Sequence, residues 1–185
     1  MNIQGKKIAI LVDNYFEQAE FEVPLKALKE AGGDVTVITT NDDLSLQGLN
    51  HVEMGDKFKA DKKIDEANPD DYDALVLPGG AVNADSLRMV DKAKEWVTDF
   101  MDDNKPLAAI CHAPWLLASA DVIEGHRLTS FFTIQDDLKN AGAEWVDLNV
   151  VVDNNLITSR KPDDLKQFNE AIISMLNQQP ASINS

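Results

Sequence analysis

The chain has 185 residues, 44% of them hydrophobic, which is enough for one domain with a substantial buried core. Its 32 acidic residues against 17 basic ones leave a formal charge of -15, which repels nucleic-acid phosphates and anionic lipid headgroups and argues against either as a partner. A single cysteine excludes an intramolecular disulfide, no run approaches the roughly 20 apolar residues of a membrane span, and "MNIQGKKIAILVDN" is unlike a secretory signal; a soluble protein in a reducing cytoplasm is expected.

In chain order, short apolar runs at residues 7–12, 34–39, 73–80 and 106–111 end in polar or glycine-containing turns and read as buried strands. Between them, "VPLKALKEAGG" at 23–33 and "DSLRMVDKAKEWVTDFMDDN" at 85–104 carry apolar residues at helical spacing. In the second, Leu87, Val90, Ala93, Trp96, Val97 and Phe100 share one face. The stretch 41–69 shows only weak alternation, and a loop with a small hairpin or short helix is expected there. After Cys111 come a short helix ending near Gly125, a second closed by Gly142, two strands around an Asp-Asn-Asn turn at 149–159, and a last helix opened by Pro162. Strands alternating with helices predict an α/β fold, a doubly wound, mainly parallel sheet with helices on both faces. Residues 1–176 are expected to form a single domain and 177–185 a flexible tail.

Ligands bind beyond the carboxyl ends of strands in such sheets, and three segments fall there: "DNYFEQAE", "PGGAVNAD" and "CHAPW". Cys111 ends a strand and enters a helix, the setting of a nucleophile elbow, where a helix N-terminus favours thiolate. A buried core residue fits the same position, because free cysteine is among the most buried residue types. Gly79 and Gly80 offer backbone amides without side chains to a developing oxyanion, or simply make a turn. Glu17 and Glu20, three apart, share one side of any helical turn and supply either a proton carrier or solvated surface. His112 follows Cys111 directly, but adjacent helical side chains point apart, so adjacency implies no hydrogen bond between them. His51, His112 and His126 lack zinc-type spacing and no phosphate-binding Gly-rich loop with its lysine is present, so neither metal nor other cofactor is expected.

Together, "NYFEQAEFEVP", "DALVLPGG", "KPLAAICHAPWLLASADVIEGHRLTS", "DDLKNAGAEWVD" and "VVVDNNLITSRKPDDLKQFNEAI" resemble the ThiJ/PfpI superfamily, in its PfpI intracellular-protease-like branch, over nearly the whole chain. The resemblance implies a flavodoxin-like sandwich, akin to class I glutamine amidotransferases, that forms homodimers or larger homo-oligomers. It implies Cys111 as the reactive thiolate, Glu20 as a protonated glutamate hydrogen-bonded to it, and Glu17 as a second carboxylate nearby. The amides around Gly79 and Gly80, with that of His112, would form the oxyanion pocket. Asp85 falls where an acid from a neighbouring subunit would orient His112. Phe131 stands where several relatives carry a pocket-lining tyrosine, which removes a hydroxyl donor. Ala113 replaces a frequent glycine. The late H-x-E pattern of the glutamine amidotransferases is absent.

By that resemblance the expected activity is cofactor-free, cysteine-dependent chemistry on small reactive carbonyls or their early protein adducts, of the glyoxalase III or deglycase kind, in a stress response. The alternatives are an oligomer-dependent cysteine peptidase using Cys111, His112 and Asp85, and a redox-responsive stress protein or chaperone signalling through Cys111 oxidation.

Overall fold

A computed structural model describes residues 2–178. Its strands are β1 (Lys7–Leu11), β2 (Phe16–Glu17), β3 (Asp34–Thr39), β4 (Ser45–Asn50), β5 (Glu53–Lys59), β6 (Lys62–Lys63), β7 (Ala74–Leu77), β8 (Leu107–Ile110), β9 (Arg127–Leu128), β10 (Glu144–Trp145), β11 (Val150–Asp153) and β12 (Leu156–Ser159). Its α-helices are α1 (Gln18–Glu30), α2 (Ala81–Leu87), α3 (Asp91–Asp102), α4 (Pro114–Ser119), α5 (Gln135–Asn140) and α6 (Leu165–Gln178). The central sheet has seven strands in the order β11-β12-β8-β7-β1-β3-β6. All its pairings are parallel except that of β11 with β12.

The apolar runs become the four inner strands because both faces of the sheet are covered. Alternation along β1 sends Ala9 and Leu11 to a core under α2–α5, and Ile8 and Ile10 to a second core under α1 and α6. Trp96 and Phe100 of α3 fill the first, Phe21 and Phe168 the second, all four fully buried. Each such side chain contributes about 1.5–3 kcal/mol through burial.

Several boundaries differ from the sequence expectation. Helix α1 starts at Gln18 rather than 23, with Pro24 inside it. A proline reads as a helix opener because it lacks an N–H, yet here it sits mid-helix, where it cannot donate to the carbonyl of Glu20. The single helix expected over 85–104 is two: Val90 is extended (φ -91°, ψ 112°) between α2 and α3. The apolar spacing survives the break, so the sequence pattern hides it. Helix α4 stops at Ser119, short of Gly125. Residues 41–69 contain a hairpin of β4 and β5, which with β2 forms a separate three-stranded sheet. At the other end, α6 runs through Gln178, two residues into the segment expected to be a tail; the rest of that segment lies outside the described residues.

The sheet order reverses at β1. Strand β3 lies on one side of it and β7 on the other, so a crevice opens where the loops after β1 and β7 part. The loop after β8 reaches the same edge and carries Cys111.

Candidate active site

Cys111 has a positive φ of 63°, which a side chain with a Cβ adopts only at a cost of about 1 kcal/mol. Its backbone is held there from both sides: its N–H donates to the Ser159 carbonyl at 3.0 Å, and its carbonyl accepts from Phe131 N–H at 2.9 Å. Pro114 opens α4 three residues later, at a position where its missing N–H is not needed. The result is a strained elbow that lifts the sulfur over the sheet edge while leaving the residue only 7% exposed.

The elbow also brings His112 round. Its Nδ1 lies 3.1 Å from Cys111 Sγ and its Nε2 3.4 Å from Thr133 Oγ1. Neighbouring side chains diverge on a regular helix, but not across a left-handed turn. Phe131 stacks on the imidazole, with ring centroids 5.0 Å apart and planes 28° apart. Burial pulls the His112 pKa below its ordinary value, so the ring is neutral at physiological pH.

Glu20 is fully buried on the first turn of α1. One carboxyl oxygen, Oε2, accepts from Gly79 N–H at 3.0 Å and the other makes no conventional hydrogen bond; the Cys111 thiol lies beside the carboxyl. Burial, with a smaller contribution from Glu17, pushes its pKa up to about 8, so it carries a proton at neutral pH. Burial pushes the Cys111 thiol up as well, and negative charge on Glu20 adds to that. The N–H groups of Gly80 and His112, both directed at the sulfur, oppose it.

Gly79 and Gly80 make this approach physically open. A Cβ on Gly79 would collide with Glu20 and Cys111; one on Gly80, where φ is +91°, would press on the backbone of residues 15–17. The two glycines do not share one role, however. The Gly79 N–H is committed to Glu20, which leaves the Gly80 and His112 amides as the free-facing donors beside the sulfur.

These groups open onto a cavity of about 870 Å³, lined also by Glu17, Phe131, His51 and Lys161. Glu17 Oε2 accepts from the His51 N–H at 3.1 Å and faces its ring, clasping the β4–β5 tip to the cavity rim. Asp85 stands apart: it is exposed on α2, does not line this cavity, and the ring nitrogens of His112 face Cys111 and Thr133 instead. Sequence reading missed His51 and Lys161 as cavity residues. His51 lies in the poorly patterned 41–69 stretch, and its placement depends on β4 pairing with β2 rather than on any local motif. Among the described residues, no three His, Cys, Asp or Glu side chains form a group that could hold a metal ion, and no helix is long and apolar enough to cross a membrane.

A doubly wound sheet with one cysteine on a strained strand-to-helix elbow, a buried glutamic acid beside it and backbone amides converging on the sulfur defines an α/β protein of the elbow-cysteine class. Within that class the chain belongs to the DJ-1/PfpI family, whose pattern it matches over residues 6–175. It is 41% identical over 172 residues to the putative cysteine protease YraA of Bacillus subtilis, covering 93% of this chain and 99% of that one. It is 41% identical over 173 residues to general stress protein 18 of the same organism, covering 93% of this chain and 98% of that one. To protein/nucleic acid deglycase 2 of Escherichia coli it is 43% identical over 174 residues, covering 93% and 98%. Among solved structures, DJ-1beta of Drosophila melanogaster superposes with a TM-score of 0.86 at 28% identity, covering 97% of this chain and 92% of that one. A two-domain Anabaena variabilis protein with DJ-1/ThiJ/PfpI-like and ferritin-like domains gives 0.87 at 35% identity, covering 97% of this chain, which spans about half (52%) of that protein.

Proposed function

We propose that the protein is a cofactor-free, cysteine-dependent enzyme that converts small reactive carbonyls, or their early adducts on proteins, with Cys111 as nucleophile and Glu20 and His112 as proton carriers. The observation that carries this reading is the fully buried Glu20 carboxyl beside the Cys111 thiol, where burial raises its pKa to about 8; a peptidase dyad does not require it, whereas converting a 2-oxoaldehyde to a 2-hydroxy acid through an enediol moves a proton from the aldehyde carbon to its neighbour. The names of the relatives, one a deglycase and one a stress protein, agree with it.

For a 2-oxoaldehyde the steps balance as follows. Cys111 Sγ adds to the aldehyde carbon while its proton passes to His112 Nδ1, and Glu20 protonates the alkoxide, giving a hemithioacetal. The Gly80 and His112 amides stabilise the transient negative charge on oxygen. Glu20, now ionised, removes the C–H proton, and imidazolium protonates the neighbouring oxygen to give an enediol. Glu20 returns its proton to the second carbon and accepts the hydroxyl proton from the first, leaving a thioester. Water, deprotonated by His112, hydrolyses the thioester to the 2-hydroxy acid and restores the thiol. No electron leaves the substrate.

The test is lactate formation from methylglyoxal without glutathione or metal. The wild type should turn over, and Cys111→Ala and Glu20→Gln should both fall to background. A wild-type rate no higher than that of Cys111→Ala overturns the reading. The Cys111–His112 contact favours cysteine peptidase activity as the second reading, in line with the protease name of one relative. It predicts peptide hydrolysis that survives Glu20→Gln but not His112→Ala. A homo-oligomeric, cytoplasmic enzyme remains part of the proposal, with Asp85 reaching His112 only from another subunit.

A further inference from the structure

We infer that Asn83 is a positioning residue for Cys111: it fixes the orientation of the Gly79–Gly80 peptide and so aims the Gly80 N–H at the sulfur. The inference rests on the reading of Cys111 as the reactive group and deepens it. Asn83 is fully buried on α2. Its Nδ2 donates to the carbonyls of Pro78 at 3.0 Å and Gly79 at 2.9 Å, and its Oδ1 accepts from Asp13 N–H at 2.7 Å. Three of its four hydrogen-bonding positions are therefore filled, all by the loops after β1 and β7 that flank the crevice.

The consequence follows from peptide geometry. A trans peptide is planar, so its C=O and N–H point in opposite directions, and the chain contains no cis peptide among the described residues. Holding the Gly79 carbonyl toward Asn83, with a weaker contact from Glu17 N–H at 3.3 Å, turns the Gly80 N–H the other way, toward the cavity that Gly80 and Cys111 line together and where Cys111 Cβ would stand 2.6 Å from a Cβ on Gly79. Anchoring matters because the peptide joins two glycines. With no Cβ on either side, a flip that exchanges the C=O and N–H directions meets little steric resistance. The flipped peptide would present a carbonyl dipole to the sulfur and disfavour thiolate. The other charged or titratable groups that face or couple to the thiol are Glu20 on α1, Glu17 behind it, and His112 on the elbow itself, and none is altered by a change at residue 83.

Cys111 is the only cysteine, so its alkylation by iodoacetamide can be followed as a function of pH without ambiguity. Asn83→Ala is expected to slow alkylation at neutral pH by about three- to tenfold and to raise the thiol midpoint, a partial loss of the Gly80 hydrogen bond to the thiolate, whose complete loss would be worth about tenfold or more. Asn155 provides the control. It is a buried asparagine that likewise donates to two carbonyls, of Phe100 and Lys105, at 3.1 and 2.7 Å, but it does not line the Cys111 cavity. Asn155→Ala should lower the melting temperature and leave the alkylation profile in place. If Asn83→Ala does not fold, Asn83→Ser, which keeps one hydroxyl donor, should show a smaller shift in the same direction. An Asn83 variant that superimposes on the wild type, or an Asn155→Ala profile displaced as far, overturns the inference. Substrate turnover is not read in this assay, so failure of the carbonyl chemistry would appear in the lactate measurement and failure of the positioning role here.

Discussion

Glu20 determines how the molecule responds to pH. Its pKa is raised from 4.5 to about 8 in the folded chain, so between those values the unfolded chain binds fewer protons than the folded one. Stability is therefore full below about pH 4.5 on this account, declines as pH rises, and levels off above 8, with a slope of at most ~1.4 kcal/mol per unit from this one group. Glu20→Gln, which cannot ionise, should flatten that decline in melts recorded across pH 5–8. Turnover needs the protonated carboxyl for the first proton transfer, so kcat/KM should fall above about pH 8; a rate that keeps rising there contradicts the assignment. At this scale the sequence was partly legible. Glu20 and Cys111 are chemistry-bearing residue types placed just beyond strand ends, whereas Asn83 carries no such signal, because its role exists only through the Pro78 and Gly79 carbonyls after β7 and the Asp13 N–H after β1.

The elbow after β8 and the turn after β7 act as one unit, and the backbone itself is their functional part. Gly80→Ala would place a methyl group 2.6 Å from Glu17 N and 2.9 Å from Phe16 Cα at a φ of +91°, so the turn must move. Loss of at least tenfold in kcat with little change in the far-ultraviolet circular dichroism spectrum is the expected outcome. The end of β12 is secured differently. Arg160 donates to Asp164 at 2.8 and 3.1 Å, and to Asp147 and Asn149. Asp164 is buried, so Arg160→Ala leaves its carboxylate unpaired; because Arg160 is itself partly solvated, a loss of about 2 kcal/mol in denaturant unfolding is expected. The buried strands could be read from the sequence because four-residue apolar runs bounded by turns have few other uses. The start of α1 and the break before α3 could not: Pro24 mimics a helix opener, and the apolar face from Leu87 to Phe100 keeps its phase across the extended Val90.

For the whole molecule, the charge of -15 acts as self-repulsion that folding must overcome. Raising sodium chloride from about 20 to 300 mM shortens the Debye length to below 10 Å and should raise the melting temperature by several degrees; a flat or falling melting temperature would show that the acidic surface is already compensated by local pairs. The alternation of strand and helix made the doubly wound sheet legible, and the position of the crevice follows from strand order. What the sequence left open was the hairpin over 41–69, whose second strand, β5, is mostly exposed and whose seating depends on the distant β2. That hairpin brings His51 to the rim and closes one wall of the cavity.

The measurement that tests the central claim most directly is acid-quenched mass spectrometry of the protein during turnover of methylglyoxal, with the modified peptide sequenced. A substrate-derived acyl or hemithioacetal group on Cys111, accumulating in wild type and absent from Cys111→Ala, is the predicted result. Turnover at an undiminished rate by Cys111→Ala, with no adduct on Cys111 in the wild type, would contradict it.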